Sequence, residues 1–268
     1  MVELFSQADT WVALVTLTFL EIILGIDNVI FISITAGKLH EDKQKKAIRI
    51  GLLLAMFFRI LLLFGVSYLI AMKDAFFSFD YSWLKADITG QSMVLFLGGI
   101  FLIYKSTTEI HQKVENISHS KIKAVAASFV KVIVQIVLID MVFSFDSVLT
   151  AVGMTSGLEG ALPIMVIAVV ISIIIMMAFA NPVSNFVNKH PAIQMLALSF
   201  LILIGFMLIT EGAHLSSTEV FQQHIGAIPK GYLYFAIVFS LAIEFLNMRF
   251  RKNIDMEEIT EEGEKPNE

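Results

Sequence analysis

Apolar residues gather into seven stretches along the chain, near 11–36, 50–72, 92–104, 124–152, 161–180, 191–210 and 231–248. Most reach the roughly 20 residues that a helix needs to cross a bilayer core. The third is short and borrows its flanks. The pattern predicts seven spanning helices, with six as the competing count. "NKHP", ahead of the sixth stretch, reads as a turn and a helix start, with Pro191 at the first helical position. The last residues, "DMEEITEEGEKPNE", are polar and acidic, which predicts a disordered tail over 249–268 behind a single transmembrane domain over 1–248.

Composition agrees with the pattern. Of 268 residues, 57% are hydrophobic and 16% charged, with a mean hydropathy of +0.79. A soluble domain of this size needs far more polar surface, so lipid is the solvent and the fold class is an all-α integral membrane protein. No cysteine is present, which removes disulfides, thiolate metal sites and cysteine nucleophiles together. No Lys or Arg precedes Trp11 and Glu21 interrupts the first apolar run, unlike a cleaved signal peptide. The net charge of −5 comes largely from the tail and points to no nucleic-acid partner.

Basic residues divide unevenly between the two sets of loops. Fourteen, among them Lys38, Lys45, Lys113, Lys189 and Arg249, follow the odd-numbered spans. Only Lys73, Lys85 and Lys230 lie on the other side. The positive-inside rule therefore predicts the N-terminus outside and the C-terminus inside. Trp11, Tyr68 and Trp83 read as interfacial anchors.

Within the first span, "LEIILGIDNVIF" places Glu21, Asp27 and Asn28 in an apolar run; in the fourth, "LIDMVFSFDSVL" places Asp140, Asp146 and Ser147. Glu21 matches Asp140 and Asp27 matches Asp146 at one offset of 119, and "TTEIH" of the third span is echoed by "ITEGAH" of the sixth. Three crossings separate the matched motifs. The spacing predicts a 3+3 inverted repeat, about 10–110 and 123–214, plus an extra helix over 231–248. Transporters of that design hold their site at the repeat interface near the midplane.

On a straight helix Glu21, Gly25 and Asn28 share a face and Asp27 is turned about 120° aside; Asp140, Ser144 and Ser147 repeat the arrangement, with Asp146 aside. Local breaks at Gly25 and Ser144 would let all four carboxylates converge. Four acids at mid-membrane cost on the order of 10 kcal/mol before pairing. Arg59, ten residues past Arg49 in the second span, is the visible partner. It leaves the cluster at roughly −3 with every acid ionised, a charge that calls for a divalent cation or a proton. The intramembrane donors are all hard oxygens, suited to Mn²⁺, Mg²⁺ or Ca²⁺. All six histidines sit in loops or at helix ends, so zinc and copper fit poorly. A structural polar knot is the bland alternative, although intramembrane ionisable groups are functional by default.

Other features carry less. Glu109 and Glu211 close equivalent spans and are candidate gates, with interfacial solvation the simpler account. Glu244 lies near the inner end of the last span, within reach of Arg249 for an ion pair. The thirteen Met are packing material. An intramembrane aspartyl protease is disfavoured, because the Tyr-Asp and Gly-x-Gly-Asp signatures are missing, and no enzyme activity is expected.

The motifs "EIILGIDNVIF" and "DMVFSFDSVLTAVG", with Arg59 and the "HP" to "TEG" sixth span, resemble the TerC family of integral membrane proteins, named for tellurium resistance. The resemblance covers nearly the whole chain except the tail. It implies a multi-pass transporter of the bacterial cytoplasmic membrane that exports Mn²⁺, with Glu21, Asp27, Asn28, Asp140, Asp146 and Ser147 at the metal and no organic cofactor. It also implies a possible role near the secretion translocon, supplying metal to exported proteins. The competing expectation is an assembly or stress factor acting with that machinery, its metal purely structural. No appended cystathionine-synthase-type domain is seen, so regulation through one is not expected.

Overall fold

A computed structural model describes residues 6, 8–65, 68, 70, 72–118, 128–155 and 160–263; the side chains of Ile26, Asp27, 116–118 and 251–263 lie outside that set. Of the six histidines and fourteen basic residues counted above, His119, Lys121, Lys123 and Lys265 are also outside the described residues.

Among the described residues, seven helices are long and apolar enough to cross a membrane. They are α1 (Ala8–Ala36), α2 (Glu41–Phe64), α3 (Gly90–Ser118), α4 (Phe129–Thr155), α5 (Ala161–Lys189), α6 (Pro191–Leu215) and α7 (Lys230–Gly263). Pro191 does open α6. The chain divides into two compact units, Met1–Ile228 and Pro229–Glu268.

Within the first unit, α1 packs chiefly on α5, α2 on α4 and α3 on α6. The contacts also give direction. Gly25 abuts Met176 and Gly37 abuts Asn188, each pair 151 residues apart, so α1 and α5 run parallel. Gly51 abuts Ile136 and Arg59 bonds Ser144, both 85 apart, so α2 and α4 run parallel as well. In contrast α3 and α6 are antiparallel, with Gly99 on Gly205 and Ser92 on Gly212. A Cβ at Gly99 would lie 2.5 Å from the Gly205 carbonyl, and one at Gly205 would lie 2.8 Å from the Gly99 carbonyl. Only glycine lets these backbones touch, as at the small-residue crossings of membrane helices.

Two expectations about these helices need correction. First, α1 and α4 are unbroken. At membrane depth an unwound backbone needs new hydrogen-bond partners, and a continuous helix satisfies its own. Gly25 instead makes room for the Met176 side chain. Second, the fifth span does not end near 180 but continues through Pro182 to Lys189. The all-α membrane class holds, and the structure adds one small sheet to it. Strands β1 (Ala75–Tyr81), β2 (Leu84–Thr89), β3 (Glu219–Val220) and β4 (Gln223–His224) form one antiparallel sheet in that order. Phe, Tyr, Ile and Thr favour a pleated surface. Phe221 and Gln222, with φ of 51° and 65°, make the tight turn between β3 and β4. Pairing of β2 with β3 ties the α2–α3 connection to the segment after α6.

In the second unit α7 is helical to Gly263, where disorder was expected from 249. Extending an existing helix adds one bond per residue fixed, and Glu, Met and Ile tolerate it. Among the described residues Glu244 and Arg249 make no ion pair. Five positions on a helix are about 140° around, so the two point apart.

Candidate functional site

The α1–α5 and α2–α4 pairs bring three helices together at one depth, and the charged groups of each meet there. Arg59 of α2 is 2% exposed, Glu21 of α1 4% and Asp140 of α4 5%. The guanidinium serves both acids. Nη1 donates to Glu21 Oε2, Nη2 to Asp140 Oδ1 at 3.2 Å, and Nε to Ser144 Oγ at 2.9 Å. Ser144, one turn beyond Asp140, donates its hydroxyl hydrogen bond to Asp140 Oδ2 at 3.0 Å. Asn28 Nδ2 donates to Asp140 Oδ1 at 3.2 Å. Asp140 thus accepts from three side chains on three helices.

Charge-assisted hydrogen bonds of this kind are stronger than neutral ones. In a dry interior they are also what makes ionised groups tolerable, since an unpaired charge there costs several kcal/mol. The described cluster still sums to −1, from two carboxylates and one guanidinium. One acceptor is left over: Asn28 Oδ1 is buried and has no hydrogen-bond partner. Beside Glu21 sits a void of about 10 Å³, walled by Leu17, Leu63, Val148 and Met165, room for about one water.

The remaining sequence candidates are placed differently. Asp27 lies on α1 with its side chain outside the described residues. Asp146 is half-buried on α4. Ser147 is buried, but its Oγ turns back to the Ser144 carbonyl at 3.3 Å rather than into the cluster. Among the described residues no three acidic or imidazole side chains stand where they could hold a metal ion. Of the acids with described side chains only Glu21 and Asp140 meet there, with the Arg59 guanidinium between them.

Glu109 is buried near the other end of α3, paired with Lys38 and with Lys105 at 3.1 Å. It lines a polar cavity of about 850 Å³ together with Lys38, Lys113, Asn181, Ser184 and Asn188. Lys113 in turn donates to Gln194 of α6. Glu211 is half-buried in the last turns of α6, and Glu244 is half-buried on α7. Sequence reasoning missed the bonding role of Ser144 and the whole cavity. The signal for the cavity was present in "NPVSNFVNKH", three Asn and a Ser at helical spacing, which reads as a loop unless the helix is known to pass Pro182.

Long apolar helices enclosing a paired acid–guanidinium cluster define a polytopic integral membrane protein. The chain belongs to the TerC family of integral membrane proteins, whose family model matches residues 6–258. It is 43% identical to the inner membrane protein YgdQ of Escherichia coli K12 over 249 residues, 92% of this chain and 97% of that protein. A UPF0053 protein of Haemophilus influenzae is 40% identical over 253 residues, 94% of this chain and 99% of the relative. The inner membrane protein YoaE of Escherichia coli K12 is 42% identical over 253 residues, 94% of this chain but 45% of that longer protein. No solved structure matches. With these relatives and its seven membrane-capable helices, the chain is a multi-pass protein of the bacterial cytoplasmic membrane.

Proposed function

We propose that this protein is a secondary-active exporter of a divalent metal cation, Mn²⁺ foremost, moving it from the cytoplasm through the site between the two acidic motifs. The observation that carries this reading is Arg59 bridging Glu21 and Asp140, the matched acids of the two motifs, within an otherwise apolar interior. A buried arrangement this costly needs a use, and intramembrane carboxylates on facing helices are suited to cation transfer. The helix pairing supports two related halves. Exchanging α1, α2, α3 for α4, α5, α6 maps the three principal packing pairs onto themselves, and the Gly99–Gly205 contact is reciprocal.

In this reading Arg59 is an internal counter-cation. It balances one of the two negative charges while no ion is bound, and an arriving cation competes with it for Glu21 and Asp140. Asp27 and Asp146 supply the further negative charge that tips the exchange, and a proton can replace either partner, which couples export to the proton gradient. Mn²⁺ is favoured over Zn²⁺ because the donors are carboxylate, amide and hydroxyl oxygens. The N-terminus is outside, as the basic loops require.

The test is uptake of radiolabelled Mn²⁺ into inside-out proteoliposomes holding only this protein, compared with Asp140→Asn and Asp146→Asn. Uptake by the native protein and its loss in both variants is expected. Folded native protein that moves no Mn²⁺, with or without a pH gradient, would overturn the transporter and leave an assembly role in the membrane.

A further inference from the structure

The cavity of about 850 Å³ lies apart from the carboxylate cluster; the Lys38–Glu109 and Lys113–Gln194 contacts in its wall join helices, whereas its Asn and Ser side chains on α5 make no hydrogen bond to another helix among the described residues. Asn181, Ser184 and Asn188 of α5 face it in one stripe, and Lys189 lies at its rim. Asn181 is eight residues, about 12 Å of helix, inward from Lys189. Asn188 Nδ2 donates to Ser184 Oγ at 3.3 Å. Asn181 Oδ1 is buried and accepts no hydrogen bond. Two of the cavity's lysines are engaged, Lys38 by Glu109 and Lys113 by Gln194.

The register between α1 and α5 fixes how far in this stripe reaches. Because the helices run parallel with partners 151 residues apart, Asn181 is level with residue 30 of α1. That is two residues, about 3 Å of rise, from Asn28. Among the described residues Asn28 Oδ1 is the other buried amide oxygen without a partner. Two orphaned acceptors therefore stand at one depth on adjacent helices, one at the head of the cavity and one in the carboxylate cluster. A buried carbonyl left unbonded costs about 1–3 kcal/mol. A hydrogen-bond donor or a hard cation removes that cost, and amide oxygens are ordinary ligands of hard cations.

We propose that the cavity is the cytoplasmic loading vestibule for the transported divalent cation, with Asn181 Oδ1 as its innermost ligand, passing the ion to Asn28 Oδ1 and the carboxylates beyond. The proposal rests on the transport reading above and adds Asn181 to it as a binding residue.

The chain has no cysteine, so Asn181→Cys carries a single thiol in the otherwise native full-length protein. Inside-out membrane vesicles are treated with a membrane-impermeant thiol reagent, with and without saturating Mn²⁺. The thiol should react from this side, and Mn²⁺ should slow it at least about fivefold. The thiol of Phe179→Cys, on an exposed part of the same helix, should not change with Mn²⁺. Ser184→Cys serves as a second probe if the first fails to insert. In proteoliposomes Asn181→Leu should raise the half-saturating Mn²⁺ concentration about tenfold, the loss of one ligand bond. Thiols at 181 and 184 that are inert from this side, unaffected by Mn²⁺, or protected equally by inorganic phosphate would overturn the proposal. If native protein moves no Mn²⁺ while Mn²⁺ still protects the Asn181→Cys thiol, the transport reading fails and the cation vestibule stands.

Discussion

Replacing Arg59 by Met removes the one cation that serves both buried acids and keeps most of the side-chain volume. The side chains of Glu21 and Asp140 are each 6% exposed, so neither can recover its hydration in place. Breaking a buried ion pair from one side costs about 3–5 kcal/mol. In a chain of this size each kcal/mol is worth roughly 2–4 °C of melting temperature, so Arg59→Met should melt roughly 6–20 °C lower. Scanning fluorimetry of the purified protein in detergent reads this directly. The triple variant Glu21→Gln/Arg59→Met/Asp140→Asn should regain at least half of the loss, because a neutralised site leaves no charge stranded. Mn²⁺ should raise the melting temperature of Arg59→Met more than that of the native protein, since no guanidinium competes for the acids. A melting temperature for Arg59→Met within about 2 °C of native, or a triple variant that melts lower still, would refute the claim that Arg59 offsets the charge of these two carboxylates.

Other expectations are independent of transport. Ser144→Ala removes the hydroxyl that accepts from Arg59 and donates to Asp140, and should destabilise by about 1–3 kcal/mol; an unchanged melting temperature would remove Ser144 from the network. Gly205→Ala and Gly153→Ala should act with opposite signs in the same assay. The first drives a methyl against the Gly99 carbonyl and should cost about 1–3 kcal/mol. The second meets nothing within 4 Å and should gain about 0.5–1 kcal/mol of helix propensity. Glu109→Gln should loosen the contact between α3 and Lys38, seen as faster hydrogen exchange at the Gly37–Leu39 amides and no change at the α3–α6 crossing.

Much of the architecture was legible along the chain because lipid enforces a simple rule. A backbone in hydrocarbon must satisfy its own hydrogen bonds, so every apolar stretch of sufficient length becomes a helix. That rule recovers the seven helices and carries α1 unbroken through Gly25, against the expectation of a break. It says nothing about where a helix ends outside the apolar run, which is why α5 past Pro182 and α7 past 249 were read short. The small sheet was missed for a related reason. Its strands are short and its β2–β3 pairing joins segments about 135 residues apart, which no local pattern reports.

For the site, sequence alone determined the kinds of groups available: Glu21, Asn28 and Asp140 on matched helices, Arg59 at comparable depth, and no thiol or intramembrane imidazole. Spacing along one helix constrains which side chains share its face, and that much could be read directly. Which faces meet is set between helices, by the 85-residue register of α2 on α4 and the 151-residue register of α1 on α5. Only the folded protein decides those, because they depend on Gly25, Gly37 and Gly51 admitting neighbouring side chains at particular levels. The tertiary structure therefore chose Ser144 over Ser147 as the partner of Asp140, and placed Asn181 level with Asn28.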